Sequence, residues 1–162
     1  MSISAIPSRG RDVLGFLGFL AVVILVAAAG RAINAEAIPG WYATLERPPI
    51  TPPNWVFGPV WTALYLMMTV AAWQVWRRVG LHHPAIRLYW VQLALNLGWT
   101  ALFFGLQSPL LAGLEIVLLV LAIGLTIRQF HAIHTAAAWL MVPYLAWTSF
   151  ALVLSWWFWV LQ

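Results

Sequence analysis

The 162-residue chain is 64% hydrophobic, carries charge on only 7% of its residues and has a mean hydropathy of +0.90. Soluble domains use roughly 45–50% apolar and 25% charged residues, so the composition excludes a soluble protein and predicts an integral membrane protein. The basic residues are all arginines, eight against four acids, and they lie between apolar runs. The net charge of +4 is therefore taken as a topology signal, and no nucleic-acid partner is expected. Cysteine is absent, which excludes disulfides and cysteine metal sites.

Five apolar runs, taken in chain order, are long enough to cross a bilayer as helices. They cover about residues 13–30, 54–76, 85–104, 110–127 and 136–160. The predicted fold class is an all-α membrane protein, a five-transmembrane-helix bundle forming one domain over residues 1–162. A signal peptide is the competing interpretation of the first run, but that run is longer than the usual h-region of about 7–15 residues. Asn54 is the predicted N-cap of the second span.

The loop between the first two spans, residues 31–53, is predicted to be a stiff lid over the bundle. Residues 41–61 contain three tryptophans and five prolines. Proline fixes φ and restricts the preceding residue to extended geometry, which makes the segment stiff. The residues assigned to the lid are Arg47, Pro48, Pro52 and Pro53. A rigid spacer without a covering role is the alternative.

The distribution of arginines predicts the orientation in the membrane. Arg31 and Arg47 lie on the lid side, and the other six, at positions 9, 11, 77, 78, 87 and 128, lie on the side of the N-terminus. By the positive-inside rule, the N-terminus is expected in the cytoplasm, with the lid loop and the C-terminus on the opposite face.

Four unusual residues are predicted to share one depth beneath the lid. At a rise of about 1.5 Å per residue, Trp61, Asn96, Glu115 and Trp147 all fall roughly 9–13 Å or slightly more below the lid side. Polar groups in a span normally face the bundle interior, so this slab is a candidate site. Asn96 could instead be an interhelical hydrogen-bonding residue, and Glu115 a protonated structural residue.

The third span has two distinct faces. Gln92 and Asn96 share a polar face that is predicted to line the interior. The opposite face consists of small residues, at positions Ala94, Gly98, Ala101 and Gly105. Small residues at this spacing let helices approach closely in lipid, so this face is the predicted interface of a homodimer.

Several motifs resemble one family. They are W-Y-x-x-L-x-[K/R]-P at residues 41–48, P-P-x-W-V-F-G-P-V-W-T-x-L-Y at 52–65, Q-L-A-L-N at 92–96, F-F-G at 103–105 and V-P-Y-L-A-W at 142–147. Together they resemble the translocator protein family, also called the tryptophan-rich sensory protein or peripheral-type benzodiazepine receptor family. The resemblance implies a five-helix bundle, commonly a homodimer. It also implies a pocket beneath the first long loop for porphyrins such as protoporphyrin IX, for sterols and for benzodiazepine-type ligands.

The resemblance also implies which residues form that pocket. Matched position by position, they are Trp41, Tyr42, Trp61, Tyr65, Asn96, Trp147 and Ala151. The sequence departs from the family pattern at Ile50, where an aromatic residue is common, and at Glu115, where some members have aspartate. The cholesterol-recognition pattern of animal members is absent from residues 151–162, which weakens a sterol function.

Three classes of function remain open. The favoured one is a membrane protein that binds porphyrin and acts as a transporter or as a sensor of tetrapyrrole metabolism. A second is a light- or oxidant-dependent porphyrin-degrading enzyme in which Trp61 and Trp147 donate electrons. A third is a structural assembly partner. No nucleophile with a base and an orienting group is visible, so an enzyme is the less favoured class.

The positions of the histidines predict how a porphyrin would be held. His82, His83, His131 and His134 all fall in connections on the side away from the lid, so no metal site and no required cofactor are expected. Haem iron would lack a strong axial ligand in the pocket. Retention is expected from stacking, from Asn96 or Tyr42, and from pairing of propionates with Arg31 or Arg47.

Overall fold

The computed structural model describes residues 9–162, and every regular element in that range is helical. The elements are α1 (Arg9–Ala37), α2 (Trp41–Thr44), α3 (Asn54–Val79), α4 (Pro84–Thr100), α5 (Pro109–Ile133) and α6 (Thr135–Leu161). A π-helical turn (Ala101–Gly105) continues α4. The all-α fold class is confirmed, and residues 1–8 of the predicted domain lie outside the described residues.

The loop before α3 is shorter than predicted. α1 continues without a break to Ala37, because the alanine-rich sequence of residues 27–37 favours a helix despite the polar residues in it. Only residues 38–53 connect α1 to α3, and α2 forms one helical turn within them. The prediction that residues 31–53 form one non-helical lid was therefore wrong over its first part.

The first turn of α3 also differs from the prediction. Asn54 is the first helical residue, and Pro53, with φ −56° and ψ 145°, precedes it without a side-chain hydrogen bond to the helix. The predicted Asn54 cap was therefore wrong. The paired prolines hold the chain extended only up to Pro53, so the helix begins one residue earlier than a cap at Asn54 requires.

The third predicted span is not a regular α-helix along its whole length. The backbone amide of Leu106 donates to the carbonyl of Ala101 at 2.8 Å, which is the i to i+5 bond of a π-helix. Gln107 then adopts a φ of 52°, and the side chain of Ser108 accepts a hydrogen bond from the amide of Leu111 to begin α5. The turn from α4 to α5 is compact as a result.

One end of the bundle is fastened by polar contacts. Arg77 forms an ion pair with Asp12 at 2.8 Å, and the indole of Trp73 donates to the Asp12 carbonyl at 2.9 Å. The guanidinium of Arg78 donates to the carbonyl of Ile133 at 2.8 Å. The beginning of α1 and the α3–α4 and α5–α6 connections therefore lie at the same end of the molecule.

The core is formed mainly by α3, α4, α5 and α6. Its largest fully buried side chains include Met68, Ile86, Tyr89, Ile116, Ile123, Phe130, Met141 and Tyr144. α1 lies at the periphery, with only Phe19, Val23 and Ala37 buried. Phe19 stacks on Trp90 of α4, with the ring centroids 5.1 Å apart. This contact anchors the N-terminal half of α1 to the core.

The outer surface of the bundle suits a lipid environment. α1, α3, α5 and α6 are each long and apolar enough to cross a membrane. α4 has 17 residues and is lengthened by its π-helical turn. Large apolar side chains such as Leu14, Leu25 and Leu121 are more than half exposed, and they would be costly to leave in water. The protein is a multi-pass integral membrane protein.

Candidate functional site

A cavity of about 710 Å³ lies at the end of the bundle opposite the Asp12–Arg77 pair. It is bounded by α1, α3, α6 and the end of α4, with residues 38–42 over it. Its lining residues are Ala27, Gly30, Arg31, Asn34, Ala35, Ile38, Pro39, Tyr42, Asn54, Phe57, Gly58, Trp61, Thr62, Tyr65, Trp99, Thr100, Phe103, Phe104, Trp147, Phe150, Ala151, Leu154, Ser155 and Phe158. The lining is mostly aromatic and apolar, with a small number of polar groups.

Most of the residues matched from the family pattern line this cavity, and two do not. Those that line it are Tyr42, Trp61, Tyr65, Trp147 and Ala151. Trp41 packs edge-on against Phe103, with ring centroids 5.6 Å apart, and is not among the lining residues. Asn96 is buried beneath the cavity floor. We therefore assign Trp41 and Asn96 to the support of the site.

Asn96 joins three helices. The hydroxyl of Tyr65 on α3 donates to Asn96 Oδ1 at 2.9 Å, and Asn96 Nδ2 donates to the hydroxyl of Tyr144 on α6 at 3.1 Å. Asn96 itself belongs to α4, so the interhelical hydrogen-bonding role that the sequence left open is the one observed. Interhelical hydrogen bonds of this kind stabilise helix association in lipid by about 0.6–2 kcal/mol each.

The roof of the cavity is held by aromatic contacts around Tyr42. The Tyr42 ring lies within 5.6–6.2 Å of Phe103, Phe104 and Phe158, measured between ring centroids. The guanidinium of Arg47 lies 4.8 Å from the Tyr42 ring centroid. Burial raises the pKa of Tyr42, and the charge of Arg47 offsets part of that increase, so the phenol remains neutral at physiological pH.

The predicted lid residues do not face the cavity. Arg47, Pro48, Pro52 and Pro53 are all absent from its lining. Pro48 is buried, and Pro53 directly precedes α3. These residues shape the connection around the roof, while the roof itself is formed by Ile38, Pro39 and Tyr42 and by residues beyond the loop.

Sequence reasoning missed part of one face of α6. Trp147, Ala151, Leu154, Ser155 and Phe158 follow the i, i+4, i+7, i+8 and i+11 spacing of a single helix face, and all five line the cavity. The periodicity alone could have extended the predicted set from Trp147 and Ala151 to the end of α6. Ser155 also accepts a hydrogen bond from the indole of Trp99 at 3.2 Å, which joins this face to α4.

The polar part of the lining was also incomplete in the prediction. Arg31 was expected near the site, whereas Asn34, one turn further along α1, was not. The Oδ1 atom of Asn34 is buried and has no hydrogen-bond partner among the described residues. Both residues were assigned to the loop, so the helical spacing that brings them to one face was not considered.

The slab of four residues does not form one site. Trp61 and Trp147 line the cavity, but Asn96 lies below it and Glu115 faces α4. A Cβ atom at Gly98 would lie 3.6 Å from Glu115 Oε1. Both carboxyl oxygens of Glu115 are buried without a hydrogen-bond partner within residues 9–162. The predicted depth along each helix therefore identified residues of the bundle interior, but it did not predict the direction in which each side chain points.

The small-residue face of α4 is only partly exposed. Ala94 is exposed, but Gly98 faces Glu115 of the same chain. A Cβ atom at Gly105 would lie 3.5 Å from Ile33 on α1. Ala101 and Gly105 also belong to the π-helical turn. The homodimer interface through Ala94, Gly98, Ala101 and Gly105 stays a prediction, and two of its four positions have neighbours within the chain.

The histidines lie away from the cavity. His82 and His83 are in the connection before α4, where His83 Nδ1 accepts a hydrogen bond from the amide of Ala85. His131 and His134 lie near the α5–α6 connection. Within residues 9–162, no group of three histidine, cysteine, aspartate or glutamate side chains is placed to hold a metal ion.

Comparison with known families agrees with the motifs. The profile of the TspO/MBR family matches residues 19–160, which is most of the chain and includes every residue that lines the cavity. The chain belongs to the TspO/MBR family.

Relatives within the TspO/MBR family come from archaea, bacteria and animals. The chain is 36% identical to the tryptophan-rich protein TspO of Archaeoglobus fulgidus over 89% of its own length and 94% of the relative. It is 40% identical to the tryptophan-rich protein TspO of Chlorobaculum tepidum, over 84% of this chain and 88% of the relative. The human translocator protein is 36% identical, over 80% of this chain and 78% of the relative.

The Asn96 junction of this TspO/MBR protein gives a stability prediction. Tyr65→Phe removes the donor to Asn96 Oδ1 and leaves that buried acceptor unpaired, so we expect a loss of about 1–3 kcal/mol. Tyr89→Phe is the matched control, because the buried hydroxyl of Tyr89 has no partner among the described residues. Thermal unfolding in detergent should show a lower midpoint for Tyr65→Phe and an unchanged or higher one for Tyr89→Phe. The same change in both variants would contradict the role of the junction.

Proposed function

We propose that the cavity binds a porphyrin and that the protein acts as a transporter or as a sensor in tetrapyrrole metabolism. The observation that carries the proposal is an aromatic cavity of about 710 Å³ with an arginine at its edge. Small-molecule sites in proteins typically measure about 300–1,000 Å³ and combine apolar walls with a few polar groups. A flat ring system with acidic substituents fits both parts of this lining.

The aromatic walls support stacking. Trp61 lies 5.4 Å from Tyr65 between ring centroids, and Trp147 lies 5.8 Å from Phe57 and 5.7 Å from Phe150. Aromatic rings bury large areas and interact favourably with other π systems in offset or edge-on arrangements. Walls on α3 and α6 thus present ring surfaces to a flat ligand held between them.

The polar groups support selection of a carboxylate. Arg31 lies one turn before Asn34 on α1, and both line the cavity. An arginine and a carboxylate form charge-assisted hydrogen bonds that are about twice as strong as neutral ones. Porphyrins with propionate groups satisfy this feature. Sterols and benzodiazepine-type ligands would use the apolar walls but would leave Arg31 without an anionic partner.

Transport and sensing are both compatible with one binding site. The relatives include proteins named translocator protein and tryptophan-rich sensory protein. Either role needs reversible binding of a ligand that partitions into the membrane. We propose reversible porphyrin binding as the common step.

A porphyrin-degrading enzyme is the second candidate. Trp61 and Trp147 both line the cavity, so both would lie near a bound ring and could donate electrons to a photoexcited or oxidised porphyrin. This activity would consume the porphyrin under light or oxidant, whereas simple binding would leave its absorbance spectrum intact after release. A structural assembly partner, the third candidate, would bind no porphyrin.

The contacts at the fastened end support a cytoplasmic N-terminus. The Asp12–Arg77 pair and the Arg78 contact with Ile133 bring the start of α1 and two connections to one end. This end carries six of the eight arginines. We propose that it faces the cytoplasm and that the cavity end, with the C-terminus, faces the opposite side.

The tryptophans give the first test of porphyrin binding. Trp61→Ala and Trp147→Ala should each weaken protoporphyrin IX binding by about 1–3 kcal/mol, because each removes a stacking wall. Trp139→Ala is the control, since Trp139 is 66% exposed on α6 and does not line the cavity. Affinity would be measured from changes in porphyrin absorbance on titration with purified protein. Unchanged affinity in both cavity variants would remove the cavity from consideration.

Arg31, at the edge of the cavity, gives a second test of porphyrin binding. Arg31→Gln should weaken protoporphyrin IX binding about tenfold, which corresponds to about 1.4 kcal/mol. The dimethyl ester of the same porphyrin should bind the variant and the parent equally. Arg47→Gln should have a smaller effect, because Arg47 contacts Tyr42 and does not line the cavity.

The same titration with haem tests the absence of an axial ligand. Haem should bind about as well as the metal-free ring, because the four histidines lie at the opposite end of the bundle. A low-spin haem spectrum with two strong axial ligands would show that this account of retention is wrong.

We also propose a homodimer through the exposed part of the small-residue face of α4. Ala94→Phe adds bulk to this face and should yield monomers in detergent, as measured by light scattering. Ala21→Phe on α1 is the matched control, because Ala21 is also exposed and lies on another helix. A dimer that persists in Ala94→Phe would exclude this interface. Gly98→Leu is a less specific test, since Gly98 faces Glu115.

A further inference from the structure

A second, smaller cavity lies between α1 and α3. It measures about 150 Å³, and its lining residues are Leu20, Val23, Ile24, Ala27, Thr62, Tyr65 and Leu66. Three of them, Ala27, Thr62 and Tyr65, also line the large cavity. The small cavity is therefore adjacent to the large one, and the two are separated by little more than the short side chains of Ala27 and Thr62.

The contacts between α1 and α3 are concentrated at one end. The ion pair between Asp12 and Arg77, the Trp73 hydrogen bond to Asp12 and the ring contact of Phe16 with Trp73 all lie at the fastened end. Gly15 also lies directly against the ring of Trp76, and a Cβ atom there would overlap it.

Farther from the fastened end, these polar and aromatic contacts between α1 and α3 do not continue. Among the described residues, no hydrogen bond, ion pair or ring contact joins residues 20–37 of α1 to residues 54–72 of α3. The two helices are held together at the fastened end. The two cavities lie between the halves of α1 and α3 that are farther from that end.

The top of the large cavity is closed more firmly than this side. Tyr42 is buried among Phe103, Phe104 and Phe158. The C-terminal residue Gln162 also donates a side-chain hydrogen bond to the Glu46 carbonyl at 3.4 Å. A ligand passing over the top would have to separate these contacts, whereas a ligand passing between α1 and α3 would break no hydrogen bond or ring contact between these two helices within the described residues.

The side opening lies at the depth of the hydrocarbon core. Ile24 and Leu66 lie near the midpoints of α1 and α3, and their side chains are 56% and 50% exposed. The surroundings of this opening are apolar, so bilayer lipid rather than water would cover it. A flat apolar ring dissolved in the bilayer would reach the opening by diffusion within the membrane.

We propose that the gap between α1 and α3 is a lateral doorway through which the ligand enters the large cavity from the bilayer. The proposal rests on the proposed function, since it concerns the route of the same ligand. Arg31 lies seven residues beyond Ile24 on α1, roughly 10 Å closer to the membrane surface. The ring therefore passes edge-on between Ala27 and Thr62 while its carboxylates remain near the interface and pair with Arg31.

The absence of cysteine allows a direct test of this doorway. A double variant, Ile24→Cys with Leu66→Cys, places the only two thiols of the chain at the small cavity. A short bifunctional methanethiosulfonate reagent would then link α1 to α3, with mass spectrometry confirming the link. Neither residue lines the large cavity, so the link adds no group to the walls that would contact a bound ligand.

Cross-linking should lower both the association and the dissociation rate of protoporphyrin IX at least tenfold, with the dissociation constant changed less than about twofold. A thiol reductant should restore both rates. The single-cysteine variants treated with the same reagent report the effect of the added group alone. A Leu121→Cys variant, exposed on α5, reports nonspecific effects on the membrane surface.

The possible results of the cross-linking experiment distinguish failure of the doorway from failure of the proposed function. Unchanged rates in the cross-linked protein would overturn the doorway and place the route at the roof around Tyr42. A lower affinity with an unchanged association rate would also overturn it, because the link would then act on the bound state. Failure of the untreated parent protein to bind protoporphyrin IX would instead contradict the proposed function, and it is measured before any cysteine is introduced.

Discussion

The hydrogen-bonded junction at Asn96 is the constraint on which the candidate site depends. It connects α3, α4 and α6 through Tyr65 and Tyr144, and both Asn96 and Tyr144 are buried. Trp61 lies one turn from Tyr65, and Trp147 lies one turn from Tyr144. The junction thus sets the separation of α3 and α6 at the level of the two tryptophans, and the cavity occupies the space that this separation leaves. Packing alone would favour a closer approach, because protein interiors leave few voids of this size.

The sequence predicted the all-helical bundle for a physical reason, and two of the aromatic residues that it singled out, Trp61 and Trp147, line the cavity. Apolar runs long enough to cross a bilayer have few alternatives to a helix, since backbone groups must be satisfied within the segment. Trp61 and Trp147 stood out because large aromatic residues away from the membrane interfaces need an internal neighbour. The periodicity of α6 contained more of the site than was used, since Leu154, Ser155 and Phe158 continue the face of Trp147.

The errors in the predicted site and helix boundaries came from the unknown rotation of each helix and from local backbone geometry. The predicted depths of residues along the helices were not the cause. Depth along a helix follows from residue count, so Asn96 and Glu115 were correctly placed in the interior, but the direction of each side chain depends on how its helix is rotated against its neighbours. The boundary of α1 was misplaced because a polar residue such as Arg31 was taken to end the helix, while the backbone preference of the surrounding alanines continued it. The π-helical turn has no simple signature in the sequence, and it altered the register of the small-residue face.

That π-helical turn also determines the shape of the cavity roof. A π-turn accommodates about one more residue than an α-turn, so the backbone of residues 101–105 is wider than the helix that leads into it. Phe103 and Phe104 are neighbours in the chain, and both nevertheless line the cavity and contact Tyr42. The extra residue supplies two adjacent rings to one surface, in the way that a bulge in a sheet re-aims a side chain. The extra backbone residue of the π-helical turn thus determines how the aromatic rings of the roof are placed.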